Sequence, residues 1–161
     1  PVFGGVYKLA AVEDEQGNII PKIKISENTA KITNPHYKKL YRFYDNESGK
    51  ALADELCVYD ETIDSTKPHT IFDPDAIWKT KTLTDYTARE LHVTVFKNGE
   101  LVYKQPSLYE IKIYCAEQLE TLWDEVKRFE NPHTYYVDLS KKLWDIKNAL
   151  LEKSKDGKNL K

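Results

Sequence analysis

The sequence predicts an α+β fold, in which an antiparallel, strand-rich first two-thirds is followed by two amphipathic C-terminal helices. Three observations lead to this prediction. Apolar and polar residues alternate in several short segments before residue 104, Asn98-Gly99 lies between two strand-like segments, and apolar residues recur every three or four positions after Pro106. Alternation is typical of a sheet with one solvated face, Asn-Gly of a tight hairpin, and the longer period of a helix.

Strands separated by turns are predicted for the first 60 residues. The strands cover residues 6–12, 19–25, 39–44 and 51–59. Residues 14–18 and 46–49 contain Asp, Asn and Gly and are predicted as turns. Residues 26–35 are predicted as a loop with one helical turn, and Pro21 indicates an edge position or a bulge in the second strand.

The middle of the chain is less regular, because residues 60–74 contain two prolines and several turn-forming residues. Within it, Asp73-Pro74-Asp75 is predicted as a turn, with a cation site as the alternative. Strands are predicted at residues 90–96 and 100–103, on either side of Asn98-Gly99, because Asn and Gly both tolerate a positive φ.

The last third is predicted to be helical. Ser107 and Glu110 have the spacing of a capping box, in which each side chain accepts a hydrogen bond from the backbone N–H of the other residue. The apolar stripe that follows extends to Phe129, and Asn131-Pro132 ends the helix. A second helix is predicted from residue 139 to residue 153.

Together these elements predict a single domain over residues 1–161. Residues 1–104 are mostly strands and loops, 105–154 are helical, and 155–161 form a polar, frayed tail. The chain contains no methionine, so we expect it to be a piece of a longer protein. Part of its surface should then be apolar, and exposure of Trp78, Trp123 or Trp144 would show this.

Composition excludes several classes of protein. The chain is 40% apolar and has a net charge of −2, which is typical of a globular protein and not of a disordered one. No apolar run approaches the ~20 residues of a membrane helix, and the first residues lack the pattern of a signal peptide. Cys57 and Cys115 have apolar neighbours, so we expect reduced, buried thiols and a cytoplasmic location.

No catalytic or metal-binding pattern is present in the sequence. The four histidines stand alone, without the spacing of zinc ligands. They are His36, His69, His92 and His133. His92 is predicted on the solvated face of a strand and His133 in a loop. Because phosphate-binding, dinucleotide-binding and nucleophile-elbow motifs are also missing, we assign no catalytic and no metal-binding residue.

One segment has an unusual local charge. Residues 20–44 contain six basic side chains, one acidic side chain and four aromatic ones, a local charge of +5. The basic residues are Lys22, Lys24, Lys31, Lys38, Lys39 and Arg42. Three interpretations are open: a solvated sheet face, an anion site for a phosphate or pyrophosphate group, or a stacking surface for single-stranded nucleic acid.

Short segments spread along the chain carry a family resemblance. Among them are Gly5-Val6-Tyr7-Lys8-Leu9, Lys31-Ile32-Thr33-Asn34-Pro35 and Phe96-Lys97-Asn98-Gly99-Glu100-Leu101. Residues 22–28, 38–42, 86–91 and 106–108 continue the series. In this order, the segments resemble the C-terminal region of nicotinate phosphoribosyltransferases. Many family members have glycine after the proline at position 35, where this sequence has His36, so the conformation of that loop is left open.

The resemblance implies a parent enzyme, of the transferase or ligase type, that joins nicotinate to phosphoribosyl pyrophosphate with ATP hydrolysis and magnesium. The product is nicotinate mononucleotide for NAD synthesis. The family's active site lies in an irregular α/β barrel with a transiently phosphorylated histidine, and none of the four histidines here lies in a segment that matches the barrel motif. The resemblance therefore implies a structural or interface domain that is inactive alone and binds no cofactor itself.

The resemblance implies that the partners are the barrel and the N-terminal domain of the same polypeptide. It also allows the parent enzyme to form a homodimer. The basic segment would then lie near substrate, since its charge complements a phosphate-rich molecule. The alternative is a free-standing module that binds phosphate or single-stranded nucleic acid through residues 22–44. The slightly acidic chain makes nucleic acid the less favoured partner, and no membrane partner is expected.

Overall fold

A computed structural model describes residues 4–158 of the protein, and the side chains of residues 4–155. The strands are β1 (Ala11–Glu13), β2 (Ile19–Pro21), β3 (Lys38–Asp45), β4 (Ala51–Val58), β5 (His69–Asp73), β6 (Ala76–Leu83), β7 (Tyr86–Glu90), β8 (Phe96–Lys97), β9 (Glu100–Leu101) and β10 (Val137–Leu139). The helices are a 3-10 helix (Thr29–Lys31), α1 (Leu108–Glu120), α2 (Asp124–Lys127) and α3 (Lys141–Lys158).

The strands form one larger sheet and several hairpins. The larger sheet has the order β10-β4-β3-β7, and two-stranded sheets are formed by β1-β2, β5-β6 and β8-β9. β3 pairs with β7 in antiparallel fashion, and the three two-stranded sheets are also antiparallel. The predicted α+β class is therefore confirmed.

The chain divides into two compact units. The first contains the described residues of Pro1–Lys38, Leu56–Glu61 and Leu139–Lys161, and the second contains Lys39–Glu55 and Thr62–Asp138. The division falls inside β4, between residues 55 and 56. The single domain predicted for residues 1–161 stays a prediction.

The core of the first unit brings the end of β4 together with α3. Its buried residues are Val58, Leu139 and Leu143, with Leu56, Trp144 and Ile146 packed against them. Leu143 and Ile146 are three positions apart on α3 and belong to the apolar stripe that predicted the second helix. Leu139 lies in β10, so the helix begins at Lys141 and not at residue 139 as predicted.

The start of α3 is fixed by a shared carboxylate. Glu61 Oε2 accepts hydrogen bonds from the Val58 N–H (2.6 Å) and from the Ser140 hydroxyl (2.7 Å). Ser140 Oγ accepts in turn from the Leu143 N–H at 3.2 Å, which is the geometry of a helix N-cap. Glu61 therefore ties the end of β4 to the first turn of α3.

His36 occupies a backbone conformation that glycine normally adopts. Its φ is +78°, in the left-handed region that costs a non-glycine residue about 1–2 kcal/mol. Local contacts offset this cost: the His36 N–H donates to the Ala10 carbonyl (2.7 Å), and its ring Nδ1 accepts from the Tyr37 N–H (2.9 Å). The ring also stacks on Tyr59. This resolves the loop conformation that the sequence left open.

The core of the second unit is built on the pairing of β3 with β7, in which Phe43 lies opposite Ala88. Phe43 is fully buried and meets the Tyr86 ring edge-on, with 5.5 Å between ring centroids. The Tyr86 hydroxyl donates to the carbonyls of Asp64 (3.3 Å) and Lys67 (3.1 Å). The irregular segment before β5 is thereby anchored to the core.

Several local predictions are confirmed. Asn98 and Gly99 have φ values of 52° and 83°, as a two-residue hairpin turn requires, and they join β8 to β9. Ser107 Oγ accepts from the Glu110 N–H, and the Glu110 carboxylate accepts from the Ser107 N–H. The predicted loop at residues 26–35 contains the 3-10 helix as its one helical turn.

Other strands are shorter than predicted. β1 and β2 cover only part of residues 6–12 and 19–25, and Pro21, the last residue of β2, has no N–H to donate to a ladder. The strand predicted at residues 90–96 is wrong, because residues 91–95 form no strand. In this stretch the Leu40 N–H donates to Nδ1 of the His92 ring (3.0 Å) and not to a backbone carbonyl. His92 was predicted on a strand, but it lies outside the strands.

The sequence did not predict the hairpin of β5 and β6. Thr70 pairs with Thr82 across it, and the threonine hydroxyls are 2.9 Å apart. At its tip the Asp75 N–H donates to Asp73 Oδ1 (2.9 Å), so Asp73-Pro74-Asp75 forms the predicted turn. The neighbouring prolines obscured an alternation of β-branched residues that was present in the sequence.

The first predicted helix ends earlier than expected. α1 stops at Glu120, nine residues before Phe129. The Thr121 hydroxyl donates to the Gln118 carbonyl at 2.7 Å, and this removes the acceptor that the next helical N–H would use. The short helix α2 follows.

The region predicted as helical also contains a strand, β10, which lies beside β4 in the larger sheet. α3 continues to Lys158, so residues 155–158 are helical and not frayed, whereas residues 159–161 lie outside the described residues. Among residues 4–158, no helix has the length and apolar character needed to cross a membrane.

The conformation of His36 gives a test by substitution. His36→Ala and His36→Gly both lose the ring contacts, but only glycine relieves the positive φ. We therefore expect the His36→Gly chain to be more stable than the His36→Ala chain by about 1 kcal/mol, measured by urea denaturation.

Tyr37 provides the matched control, because it is the next residue, also contacts the Tyr59 ring and is not among the residues with positive φ. There the order should reverse, with the alanine variant more stable than the glycine variant by roughly 0.5–1 kcal/mol. Equal or greater stability of His36→Ala over His36→Gly would contradict the assignment.

Candidate functional site

The six basic side chains of residues 20–44 have two kinds of environment. Lys22, Lys24 and Lys31 are exposed, as expected of a solvated or anion-binding surface. Lys38, Lys39 and Arg42 are half-buried and have protein partners. The predicted anion surface stays a prediction, and the two groups are suited to it differently.

Lys38 stabilises the loop that precedes it. Its Nζ donates to the backbone carbonyls of Asn34 (3.0 Å), Pro35 (3.3 Å) and His36 (2.6 Å). An ammonium group has three N–H donors, so these contacts use all of them. Partial burial lowers the pKa of the Lys38 side chain. An anion could bind Lys38 only by displacing the loop carbonyls.

Arg42 forms a buried, bidentate ion pair. Its Nε donates to Asp54 Oδ1 (2.8 Å) and its Nη2 to Asp54 Oδ2 (2.9 Å). Asp54 is 5% exposed, and the Tyr135 hydroxyl also donates to its Oδ1 at 2.9 Å. The Asp54 hydrogen bonds raise the pKa of Arg42, and burial followed by the Asp54 charge raises the pKa of Tyr135. Arg42 is thus neutralised within the domain.

Lys39 has a weaker partner. Its Nζ lies 3.7 Å from Glu90 Oε2, and both side chains are partly exposed. A pair of this kind contributes little to stability, so Lys39 remains available to a stronger anionic partner. Of the six predicted residues, Lys38 and Arg42 are the least suited to bind a substrate anion.

The histidines do not assemble a catalytic or metal site. His69 Nε2 is 2.8 Å from Oε2 of the buried Glu55, and its ring stacks on Phe43. His133 lies in a loop, as predicted, with its N–H donating to the Glu125 carbonyl. Within residues 4–158, no group of three or more His, Cys, Asp or Glu side chains is placed to hold a metal ion.

Asp138 is a buried carboxyl group in the second unit. It is 3% exposed, and burial, with the nearby charges of Glu55 and Asp73, raises its pKa to about 6. It lines a cavity of about 140 Å³ together with Tyr136, Lys79 and other residues of β5 and β6. A perturbed carboxyl group in a cavity is one feature of active sites, but it is also found in structural clusters of charged groups, and Lys79 and Lys81 line the same cavity.

A cleft of about 790 Å³ lies beside the start of β4 in the second unit. Its lining includes Trp123, Glu125, His133, Tyr135 and Tyr136. The cleft is open, and its lining mixes aromatic and aliphatic side chains with the charged Lys81 and Glu125. Such a surface suits an apolar or aromatic partner better than a phosphate group.

Large apolar side chains are exposed in this unit, as expected for part of a larger protein. Trp78 is 77% exposed and Trp123 is 42% exposed, whereas Trp144 packs against the core of the first unit. Cys57 is buried, but Cys115 on α1 is exposed. The prediction of a buried thiol is therefore wrong for Cys115, because α1 presents its apolar stripe to solvent.

Substitution of Arg42 separates a structural role from an anion-binding one. Arg42→Ala leaves the buried Asp54 carboxylate without its cation, so we expect the free energy of unfolding to fall by about 3 kcal/mol. Lys24→Ala removes an exposed charge from the same predicted surface and should change it by at most about 0.5 kcal/mol.

Urea denaturation of the two variants beside the unsubstituted chain measures both values. If Arg42→Ala proves as stable as Lys24→Ala, the ion pair does not stabilise the domain and Arg42 returns to the list of candidate anion ligands.

Comparison with known proteins gives the chain a family. The family described as nicotinate phosphoribosyltransferase C-terminal domain matches residues 37–147. The nicotinate phosphoribosyltransferase of Bacillus subtilis (strain 168) is 37% identical over 147 residues, which are 91% of this chain and 30% of that protein. The human protein of the same name is 29% identical, over 93% of this chain and 27% of its own length.

A solved structure agrees with these sequence matches. The crystal structure of human nicotinic acid phosphoribosyltransferase superposes with a TM-score of 0.67 and 25% identity, over 74% of this chain and 24% of that one. The chain thus spans roughly a quarter to a third of the length of these relatives. Since the match extends over more than half of the chain, the protein belongs to the nicotinate phosphoribosyltransferase C-terminal domain family.

Proposed function

We propose that this chain is the noncatalytic C-terminal domain of an enzyme that joins nicotinate to phosphoribosyl pyrophosphate and makes nicotinate mononucleotide for NAD synthesis. This proposal rests mainly on the extent of the match, which covers 91% of this chain and 30% of a nicotinate phosphoribosyltransferase. On the same family grounds we propose that the whole enzyme hydrolyses ATP with magnesium, works in the cytoplasm and forms a homodimer.

The environment of the polar side chains supports a noncatalytic role. Arg42 is paired with Asp54, and His69 with Glu55, so two strong candidates for acid–base or anion chemistry are already engaged within the domain. Asp138 has a raised pKa because it is buried near Glu55 and Asp73. The active site of the enzyme would then lie in the part of the polypeptide outside this chain.

The alternative of a free-standing module for phosphate or single-stranded nucleic acid is not supported. Base stacking requires exposed aromatic rings next to basic side chains, but Tyr41 and Phe43 are buried. Arg42, the basic residue that lies between them in sequence, is engaged with Asp54. The family match also points to a part of an enzyme.

A substrate-proximal role remains a proposal for the exposed Lys22, Lys24 and Lys31. Thr33 Oγ1 accepts from the Lys24 N–H (3.0 Å), and Lys31 lies two residues before Thr33, at the end of the 3-10 helix. Positive charge there would attract a phosphate-rich substrate. An unchanged Michaelis constant for phosphoribosyl pyrophosphate in the Lys24→Ala full-length enzyme would remove this role.

The proposed function is tested with two proteins, the 161-residue chain and the full-length polypeptide that contains it. Each is incubated with nicotinate, phosphoribosyl pyrophosphate, ATP and magnesium, and nicotinate mononucleotide is measured by chromatography. We expect turnover by the full-length polypeptide and none above the no-enzyme background by the chain, because no catalytic set is assembled in it.

The control is a mixture of the chain with a polypeptide that lacks it, which tests whether the two parts reconstitute activity. Turnover by the chain alone would overturn the noncatalytic assignment. A full-length polypeptide that forms no nicotinate mononucleotide would overturn the proposed reaction.

A further inference from the structure

Helix α1 has no buried residue, although its sequence is rich in apolar side chains. Leu108 is 83% exposed, Leu119 is 51% exposed, and Ile111 and Cys115 between them are also exposed. These four positions follow one another at intervals of three or four residues and so form a single stripe along the helix. The α1 stripe is defined here as Leu108, Ile111, Cys115 and Leu119.

A different row of α1 holds the helix on the second unit. The Tyr44 hydroxyl on β3 donates to Gln118 Oε1 (3.4 Å), and Arg89 Nη2 on β7 donates to the Tyr114 hydroxyl (2.6 Å). Positions 114 and 118 are four apart and lie on one row, which is distinct from the stripe. The polar row therefore faces the domain, and the apolar stripe is left without cover.

This arrangement does not explain why α1 is stable as a helix. It has 13 residues, close to the length of about 12–15 below which isolated helices are marginal in water. In proteins most helical stability comes from packing an apolar face. The capping box fixes where α1 begins, but it supplies no apolar contact. Cover by a further protein element would supply the missing apolar contact.

We propose that the α1 stripe is the docking surface for the part of the polypeptide that lies N-terminal to this domain. The inference rests on the proposed function, since it takes the chain to be one domain of a longer enzyme. The relatives are about three times as long as the chain, which covers 30% of one and 27% of another. The family is a C-terminal domain, so the missing length precedes it and is available to cover the stripe.

The distribution of apolar residues favours this occupant over a second copy of the chain. Tyr109 and Ile113 are also exposed, and they lie on a further side of α1, away from the stripe. A two-fold interface covers one patch of each protomer, whereas a large covalently attached segment can surround a helix on several sides. A helix that is apolar on most sides is typical of the interior of a larger protein.

The charges on α1 argue against a membrane surface. Lys112 is the basic residue of the helix, and Glu110, Glu117 and Glu120 are acidic. Helices that lie on anionic lipid carry several lysines or arginines on their polar face. The groove along the stripe has a volume of about 470 Å³ and is lined by the stripe, Ala116 and Lys112. It suits the apolar side chains of another protein element.

Alkylation of Cys115 tests the proposal directly, because this thiol lies in the centre of the stripe. The full-length polypeptide and the 161-residue chain are treated with N-ethylmaleimide under native conditions, and the peptides that contain each cysteine are quantified by mass spectrometry over time. Cys57 is buried and serves as the internal control, since its protection shows that the domain is folded.

We expect Cys115 to react readily in the chain and at least about a hundredfold more slowly in the full-length polypeptide, with Cys57 protected in both. Leu119→Ala in the full-length polypeptide should restore much of the Cys115 reactivity and lower the melting temperature. Glu117→Ala, an exposed position of α1 outside the stripe, should change neither. Both substitutions introduce alanine, which is the best helix former.

Equal Cys115 reactivity in the two proteins, with Cys57 protected, would overturn the proposal. Protection in the full-length polypeptide that disappears on dilution would also overturn it, because a second copy would then be the occupant. If Cys57 reacts in the isolated chain, the chain is not folded alone and the full-length polypeptide decides the question by itself. Protection of Cys115 in a polypeptide that makes no nicotinate mononucleotide would refute the reaction but leave the docking surface standing.

Discussion

The ion pair of Arg42 with Asp54 is the interaction on which the second unit depends most. It joins β3 to β4 and, through the Tyr135 hydroxyl, holds the segment that leads into β10. A carboxylate buried in this way costs several kcal/mol unless it is paired and hydrogen-bonded, so only a register that places Arg42 beside Asp54 is stable. In the same pairing, the Arg42 guanidinium is neutralised by Asp54 and is therefore poorly suited to bind a substrate anion.

The second constraint is the amount of apolar surface that the chain leaves uncovered. Its buried residues are few and include several alanines, whereas large side chains such as Phe129, Trp78 and Leu108 are exposed. Monomeric proteins rarely expose contiguous apolar patches of more than a few hundred Å². Membership of a family of C-terminal domains accounts for this surface, because the rest of such a polypeptide is available to bury it.

Sequence reasoning succeeded where a single local signal decided the structure. The capping box of Ser107 and the Asn98-Gly99 hairpin both depend on neighbouring residues. Sequence reasoning failed where the structure depends on a partner that is distant in the sequence. Arg42 and Asp54 are twelve positions apart, β10 exists only because β4 is beside it, and Cys115 was expected to be buried because an apolar stripe does not reveal what covers it. No periodicity in the sequence identifies these partners.

The central claim is that this domain is completed by the rest of its polypeptide, and amide hydrogen exchange along α1 tests it most directly. The exchange rates of α1 are compared between the 161-residue chain and the full-length polypeptide, with the amides of β3 and β4 as the internal reference. The account predicts that β3 and β4 are protected in both proteins and that α1 exchanges at least about a hundredfold faster in the chain alone. Equal protection of α1 in the two proteins would contradict it.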